Sequence, residues 1–136
     1  MISWDDVEEN LEIPVLVKNP TYMQLFMFSA ATWNRHLIHY NTEFARHDGL
    51  KDVAVHRGLM GNFLAQMLSN WVGDVGRVVK VEWSVRGSAI PGDTLICKGK
   101  VTGKNMKDGQ KLANCEVWIE NKGQVIVPGT GVVKFD

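Results

Sequence analysis

From Gly58 to Val72 the chain carries no Asp, Glu, Lys or Arg, yet it is not a plain apolar run. Leu59, Met60, Phe63, Leu64, Met67, Leu68 and Trp71 recur at three- and four-residue spacing, which gathers them on one side of an α-helix. The opposite side carries Asn62, Gln66, Ser69 and Asn70, polar but uncharged. Gly61 and Ala65 let the helix backbone approach a neighbour closely, and Gly73 supplies a stop. A helix that starts at Arg57 or Gly58 and lacks charge on every side is expected to be enclosed by the rest of the chain. Few folds do this.

The segments around it say which fold. Val79, Val81, Trp83 and Val85 alternate with Lys80, Glu82, Ser84 and Arg86, the period of a half-buried strand. Pro91-Gly92-Asp93 reads as a turn, and Leu95, Cys97, Gly99 and Val101 form the next alternation, with Lys98 and Lys100 facing away. A polar hairpin connection at Met106 to Gly109 precedes Ala113, Cys115, Val117 and Ile119, all on one face. After the turn Asn121-Lys122-Gly123 comes a last strand, Val125 to Phe135, with an interruption expected at Pro128-Gly129. Ahead of the long helix, Pro14 to Val17 reads as a first strand ended by Asn19-Pro20. Thr21 has N-cap chemistry for a helix over Tyr22 to Thr32, and Thr42 for a short helix ending near Gly49. The order is therefore strand, helices, one long helix, then about four meandering strands. An antiparallel sheet of that size buries its apolar face by curling round the single helix. This predicts an α+β chain, one hot-dog domain over residues 1–136. Such a fold often dimerises by joining two sheets edge to edge, which removes exposed edges.

Charge narrows the partners. With 15 basic and 15 acidic side chains the formal net charge is zero, which argues against nucleic acid or a membrane surface bound by bulk charge. No apolar run is long enough to span a bilayer, and the first residues are acidic rather than signal-like, so a cytoplasmic location is expected. Cys97 and Cys115 lie in strand alternations and read as reduced core thiols. Lys98, Lys100 and Lys104 form a basic run, expected as a solvated sheet face and available to phosphates.

The residues with chemistry to offer cluster between Asn34 and Arg57, where three of the four histidines fall, with His47 beside Asp48 expected in solvent. The stretch Phe28-Ser29-Ala30-Ala31-Thr32-Trp33-Asn34-Arg35-His36-Leu37-Ile38-His39-Tyr40-Asn41 is followed, 17 positions after His39, by His56-Arg57. This two-part pattern resembles the hydration motif of the MaoC-like dehydratases and R-specific enoyl-thioester hydratases. It is closest to the 3-hydroxyacyl-thioester dehydratase branch that reads Phe-Ser-Ala-x-Thr-(Phe/Trp)-Asn-x-His-x-Ile-His-Tyr. The likeness runs from about Thr21 through Pro91-Gly92-Asp93-Thr94-Leu95 to the C-terminus.

The resemblance implies interconversion of trans-2-enoyl and (R)-3-hydroxyacyl thioesters, on coenzyme A rather than a carrier protein, with no metal and no redox cofactor. It implies His39 as the catalytic histidine and puts Asn34 where most of the family has an aspartate. Asn34 would orient the water or the His39 ring through its amide. Arg57 stands at the usual glycine of an oxyanion turn, with His56 before it and Gly58 after it. The chemistry agrees with those positions. An imidazole titrates near neutral pH, so His39 can take a proton from water and return one at the α-carbon. Amides of Arg57 and Gly58, unpaired at a helix start, would meet the developing enolate oxygen. Hot-dog thioesterases offer a second reading, but they generally set a carboxylate near the central helix, and none occurs from Gly58 to Val72. A third is a non-catalytic subunit paired with a second hot-dog chain, as a heteromer rather than a homodimer or higher oligomer.

Overall fold

The structure is a computed structural model that describes residues 2–136. The long helix, α3, runs Arg57–Val72 and ends on Gly73, whose φ of 56° favours glycine. Its stripe lies as the spacing predicts, with Leu59, Met60, Phe63, Leu64, Met67, Leu68 and Trp71 buried. Five strands wrap it: β1 (Glu12–Lys18), β2 (Gly76–Trp83), β3 (Leu95–Lys107), β4 (Gln110–Asn121) and β5 (Gln124–Phe135). They form one antiparallel sheet in the order β1-β3-β4-β5-β2. This is the hot-dog fold.

One expectation is corrected. The helix is enclosed on one side only, because a sheet that curls round it covers the apolar stripe and stops. Asn62, Gln66, Ser69 and Asn70 remain exposed on an uncharged face.

Alternation is read correctly in β3 and β4, whereas in β2 a bulge between Val78 and Lys80 turns Val79 outward to 47% exposure, and Val85 lies beyond the strand's end. Leu95, Cys97 and Val101 on β3 and Ala113, Cys115, Val117 and Ile119 on β4 all point into the core. Both thiols are free, and burial pushes each up to about 12, which leaves them protonated packing groups. The expected break in the last strand is absent. Within a strand, one residue's N–H and C=O point the same way, and the Pro128 carbonyl points to Ser84, just beyond the end of β2. The proline therefore removes an amide where regular pairing has already stopped. The irregularity falls instead at a bulge opposite Ile119 and Glu120, which turns both Ile126 and Val127 inward.

Two further helices carry the chain across one end of α3. The first, α1, spans Tyr22–Thr32 and is capped by Thr21, whose hydroxyl accepts from the Gln24 amide at 3.1 Å. The second, α2, spans Thr42–His47, and its cap is Asn41 rather than Thr42. Asn41 Oδ1 accepts from the Phe44 amide at 2.9 Å. The Thr42 hydroxyl instead donates to Asp52. Among the described residues no helix is long and apolar enough to cross a membrane.

Candidate active site

The segment between α1 and α3 is folded back on itself by short-range hydrogen bonds. Trp33 ends α1 in the left-handed region, with a φ of 56°, and the Asn34 amide donates to the Ser29 carbonyl at 2.9 Å. That closure reverses the chain. The Asn34 side chain then accepts from the His36 amide at 3.2 Å, and His36 Nδ1 accepts from the Ile38 amide at 3.3 Å. These bonds shape a single 3-10 turn, Leu37–His39, that turns His39 inward to 8% exposure.

His39 meets two groups that fix its ring. Nδ1 lies 2.6 Å from the Ala54 carbonyl. A carbonyl only accepts, so Nδ1 carries the proton and Nε2 keeps its lone pair. One face of the ring stacks on His56, with centroids 3.8 Å apart and planes 17° from parallel. Asn34 makes no hydrogen bond to this ring; among the described residues its only side-chain bond is the one to His36. Its amide nitrogen remains free to donate.

His56 lies at the N-cap of α3 but does not cap it with its side chain. It is 1% exposed, its Nε2 lies 2.7 Å from Ser29 Oγ, and the Phe28 ring meets it edge-on at 4.8 Å. With no side-chain cap, the first amides of α3, including those of Arg57 and Gly58, stand at the positive end of the helix dipole. The Arg57 side chain is exposed, and its carbonyl accepts from Trp83 Nε1 at 3.0 Å.

A cavity of about 520 Å³ joins these parts, lined by Phe28, Asn34, Ile38, His39, His56, Arg57 and Gly58 together with Met60, Val85 and Gly87. All five residues singled out in the sequence thus share one space. Lys98, Lys100 and Lys104 do not. On the sheet's outer face Lys98 pairs with Glu120 at 3.0 Å and Lys100 with Glu116 at 3.7 Å, while Lys104 donates to the Trp4 carbonyl.

Burial pushes the His39 imidazole below its ordinary value of 6.5, against the pull of the Ala54 carbonyl, and the nearby His36 adds to the fall. His56 is pushed from 6.5 down to about 4, first by burial and then by His39. Both rings are neutral at pH 7. The consequence for stability has a definite sign. Below about 6.5 the unfolded chain protonates this imidazole while the folded one refuses the proton until about 4. Stability is full above pH 6.5 and declines as pH falls toward 4. Denaturant melts taken across that window should show the decline, and His56→Gln should flatten it.

Three contributors were not singled out in the sequence. Ser29 is 5% exposed and, among the described residues, is the only hydrogen-bond partner of the His56 side chain, whose Nδ1 has none. Ser29→Ala leaves a second buried nitrogen unpaired, so we expect a loss of about 1–3 kcal/mol of stability in denaturant melts. Asp52 accepts from the Tyr22 hydroxyl, the Thr42 hydroxyl (3.1 Å) and the Val53 amide (2.8 Å). The Tyr22 bond above all holds its carboxyl below the usual range. Asp52 so pins the loop that presents the Ala54 carbonyl to His39. The signal available was a lone acid beside the apolar run Val53-Ala54-Val55. The third, Ala54, acts through its backbone alone.

The sequence model of the hydroxyacyl-thioester dehydratase type 2 family matches residues 8–85, which include every side chain of this cluster. The chain belongs to that family. Among solved structures, the (R)-hydratase from A. caviae involved in PHA biosynthesis superposes with a TM-score of 0.86 at 20% identity, covering 96% of this chain and 98% of that one. The ChsH1-ChsH2 complex from Mycobacterium tuberculosis gives 0.83 at 19%, covering 95% and 98%. A MaoC-like dehydratase gives 0.87 at 26%, covering 98% of this chain and 42% of that one. No curated protein matches in sequence. Together these establish a MaoC-like hot-dog dehydratase fold.

Proposed function

We propose that the chain is an acyl-thioester hydratase/dehydratase that interconverts trans-2-enoyl-CoA and (R)-3-hydroxyacyl-CoA. The observation that carries this reading is the His39 ring, held by the Ala54 carbonyl so that Nε2 is a base, beside the uncapped start of a helix that carries no charge after Arg57. In hydration, Nε2 takes a proton from water as the water oxygen bonds to the β-carbon. The electron pair moves to the thioester oxygen, giving an enolate. Amides of Arg57 and Gly58 donate to that oxygen, each worth about 3 kcal/mol. The imidazolium then returns its proton to the α-carbon, so one water is added in all. Asn34 cannot take a proton; its free amide N–H instead donates to the water or the product hydroxyl. The apolar lining from Phe28, Ile38, Met60 and Val85 suits an acyl chain.

We further infer that a second hot-dog chain packs beside this one, as a homodimer or with a related partner. The exposed uncharged face of α3 and the unpaired outer edge of β2 support this, as does the solution of relatives as two-chain complexes. Size-exclusion of the purified protein, with enone absorbance and free thiol followed on crotonyl and longer thioesters, tests both points. Loss of the enone without thiol supports hydration. Thiol release would indicate a thioesterase, and a folded protein inactive at every chain length would indicate a half-site subunit.

A further inference from the structure

His56 lines the catalytic cavity, yet it offers that space no nitrogen. Nε2 lies 2.7 Å from Ser29 Oγ, and Nδ1 is buried without a partner among the described residues. A buried lone pair without a partner is tolerated better than a buried N–H without one. The ring's one proton therefore sits on Nε2 and is donated to Ser29. So placed, His56 has no donor or acceptor left for substrate or water. What it presents to the site is a flat face.

His39 rests on that face, with centroids 3.8 Å apart and planes 17° from parallel. The contact supplies what the Ala54 hydrogen bond lacks. An imidazole turns easily about its Cβ–Cγ bond, whose torsional wells are broad. One bond from Nδ1 to a carbonyl fixes an edge of the ring and lets its plane tilt about that line. A second ring lying flat against it removes the tilt, and with it the freedom of Nε2 to swing out of line. His56 is itself held from three sides. Its carbonyl accepts from the Met60 amide at 3.1 Å, its Nε2 meets Ser29, and the Phe28 ring meets it edge-on at 4.8 Å. Phe28 and Ser29 both belong to α1, so the packing of α1 on the start of α3 sets the plane of the base. A neutral face also accommodates the positive charge that His39 takes on in mid-reaction, which a protonated ring would repel.

We propose that His56 is a positioning residue, backed by Ser29, whose ring face holds the plane of His39 and so the direction of Nε2. The role rests on the hydration reading of His39, but the orientation it describes is measurable without turnover.

The first test follows the imidazole nitrogens of His39 in long-range ¹H–¹⁵N correlation spectra of the labelled protein. The wild type should show a single tautomer with the proton on Nδ1. In His56→Leu, which removes the flat face, the two tautomers should interconvert and give averaged signals. A single Nδ1-protonated tautomer retained in His56→Leu overturns the proposal, whether or not the protein turns over any thioester. Kinetics on crotonyl-CoA give the second readout. His56→Leu should lose about 10²-fold in kcat, as a misplaced base does, with KM within about twofold of the wild type. A raised KM with kcat intact would make His56 a substrate-binding residue and overturn the positioning role.

Ser29→Ala/His56→Phe keeps a neutral flat ring, removes both imidazole nitrogens and frees the hydroxyl's volume for the larger ring. This double variant should recover most of the kcat lost in His56→Leu and regain the single His39 tautomer. If it stays as slow as His56→Leu, a nitrogen of His56 takes part directly and the proposal fails. Where His56→Leu does not fold, the double variant decides. A single His39 tautomer with kcat within about tenfold of the wild type supports the role, and mixed tautomers or a loss of about 10²-fold overturns it.

Discussion

His39→Ala is expected to lower enoyl-thioester hydration by about 10³-fold or more, with the fold retained in circular dichroism and thermal melts. The size follows from the role proposed for the ring. One imidazole both removes a proton from water and delivers one to carbon, so its loss disables both transfers. No neighbour replaces it. His56 is stacked on the same ring and held near a pKa of about 4, too weak a base at neutral pH. Asn34 has no titratable group. His39→Gln refines the test, because its amide can keep a bond to the Ala54 carbonyl while offering no base. If His39→Gln were as active as the wild type, the ring's work would be positional. The pH profile checks the same point. Rate should rise as His39 loses its proton, below the ordinary imidazole value of 6.5, and stay flat through neutrality.

The second large effect concerns stability. At Gly61 an added Cβ would lie 2.2 Å from Trp83 Cζ2, so even alanine must displace the indole. Overpacking of this kind costs about 1–3 kcal/mol. For a chain of this size that corresponds to a Tm lower by roughly 4–10 °C. The indole also donates to the Arg57 carbonyl, so its displacement loosens the first turn of α3, where the proposed oxyanion donors sit. Gly61→Ala should therefore lose activity as well as stability. Trp83→Leu in the same chain makes room for the methyl, and the pair should be more stable than the sum of the single changes predicts. Strict additivity would show that the contact does not limit packing.

Much of this architecture was legible because it repeats. The stripe of α3, the cap at Thr21 and the alternation of β3 and β4 are periodic or local signals, and the structure follows them closely. What was not legible depends on the third dimension. Asn41 and Thr42 have equivalent capping chemistry in sequence, and only the approach of Asp52 draws the Thr42 hydroxyl away. The exposed side of α3 carries no charge to announce it. The Pro128 break was misread because the end of its neighbour, β2, is not written near it in the chain.

The site divides in the same way. His39 and Asn34 are singled out by their spacing to His56-Arg57, a pattern that survives in one dimension. The partners that orient them are not. Ala54 acts through a carbonyl that every residue possesses, and Ser29 meets His56, 27 positions further along the chain, by folding alone. Asn34 was expected to orient water or the ring; the structure shows its oxygen already spent on the His36 amide, which leaves only its N–H for substrate or water.

The central claim is that water is added at the β-carbon and leaves the thioester intact. Incubation of the wild-type protein with crotonyl-CoA in ¹⁸O-labelled water, followed by mass spectrometry, reads the position of the label. The account predicts one labelled oxygen in the 3-hydroxyl of an unbroken thioester. Label in a free carboxylate would contradict it.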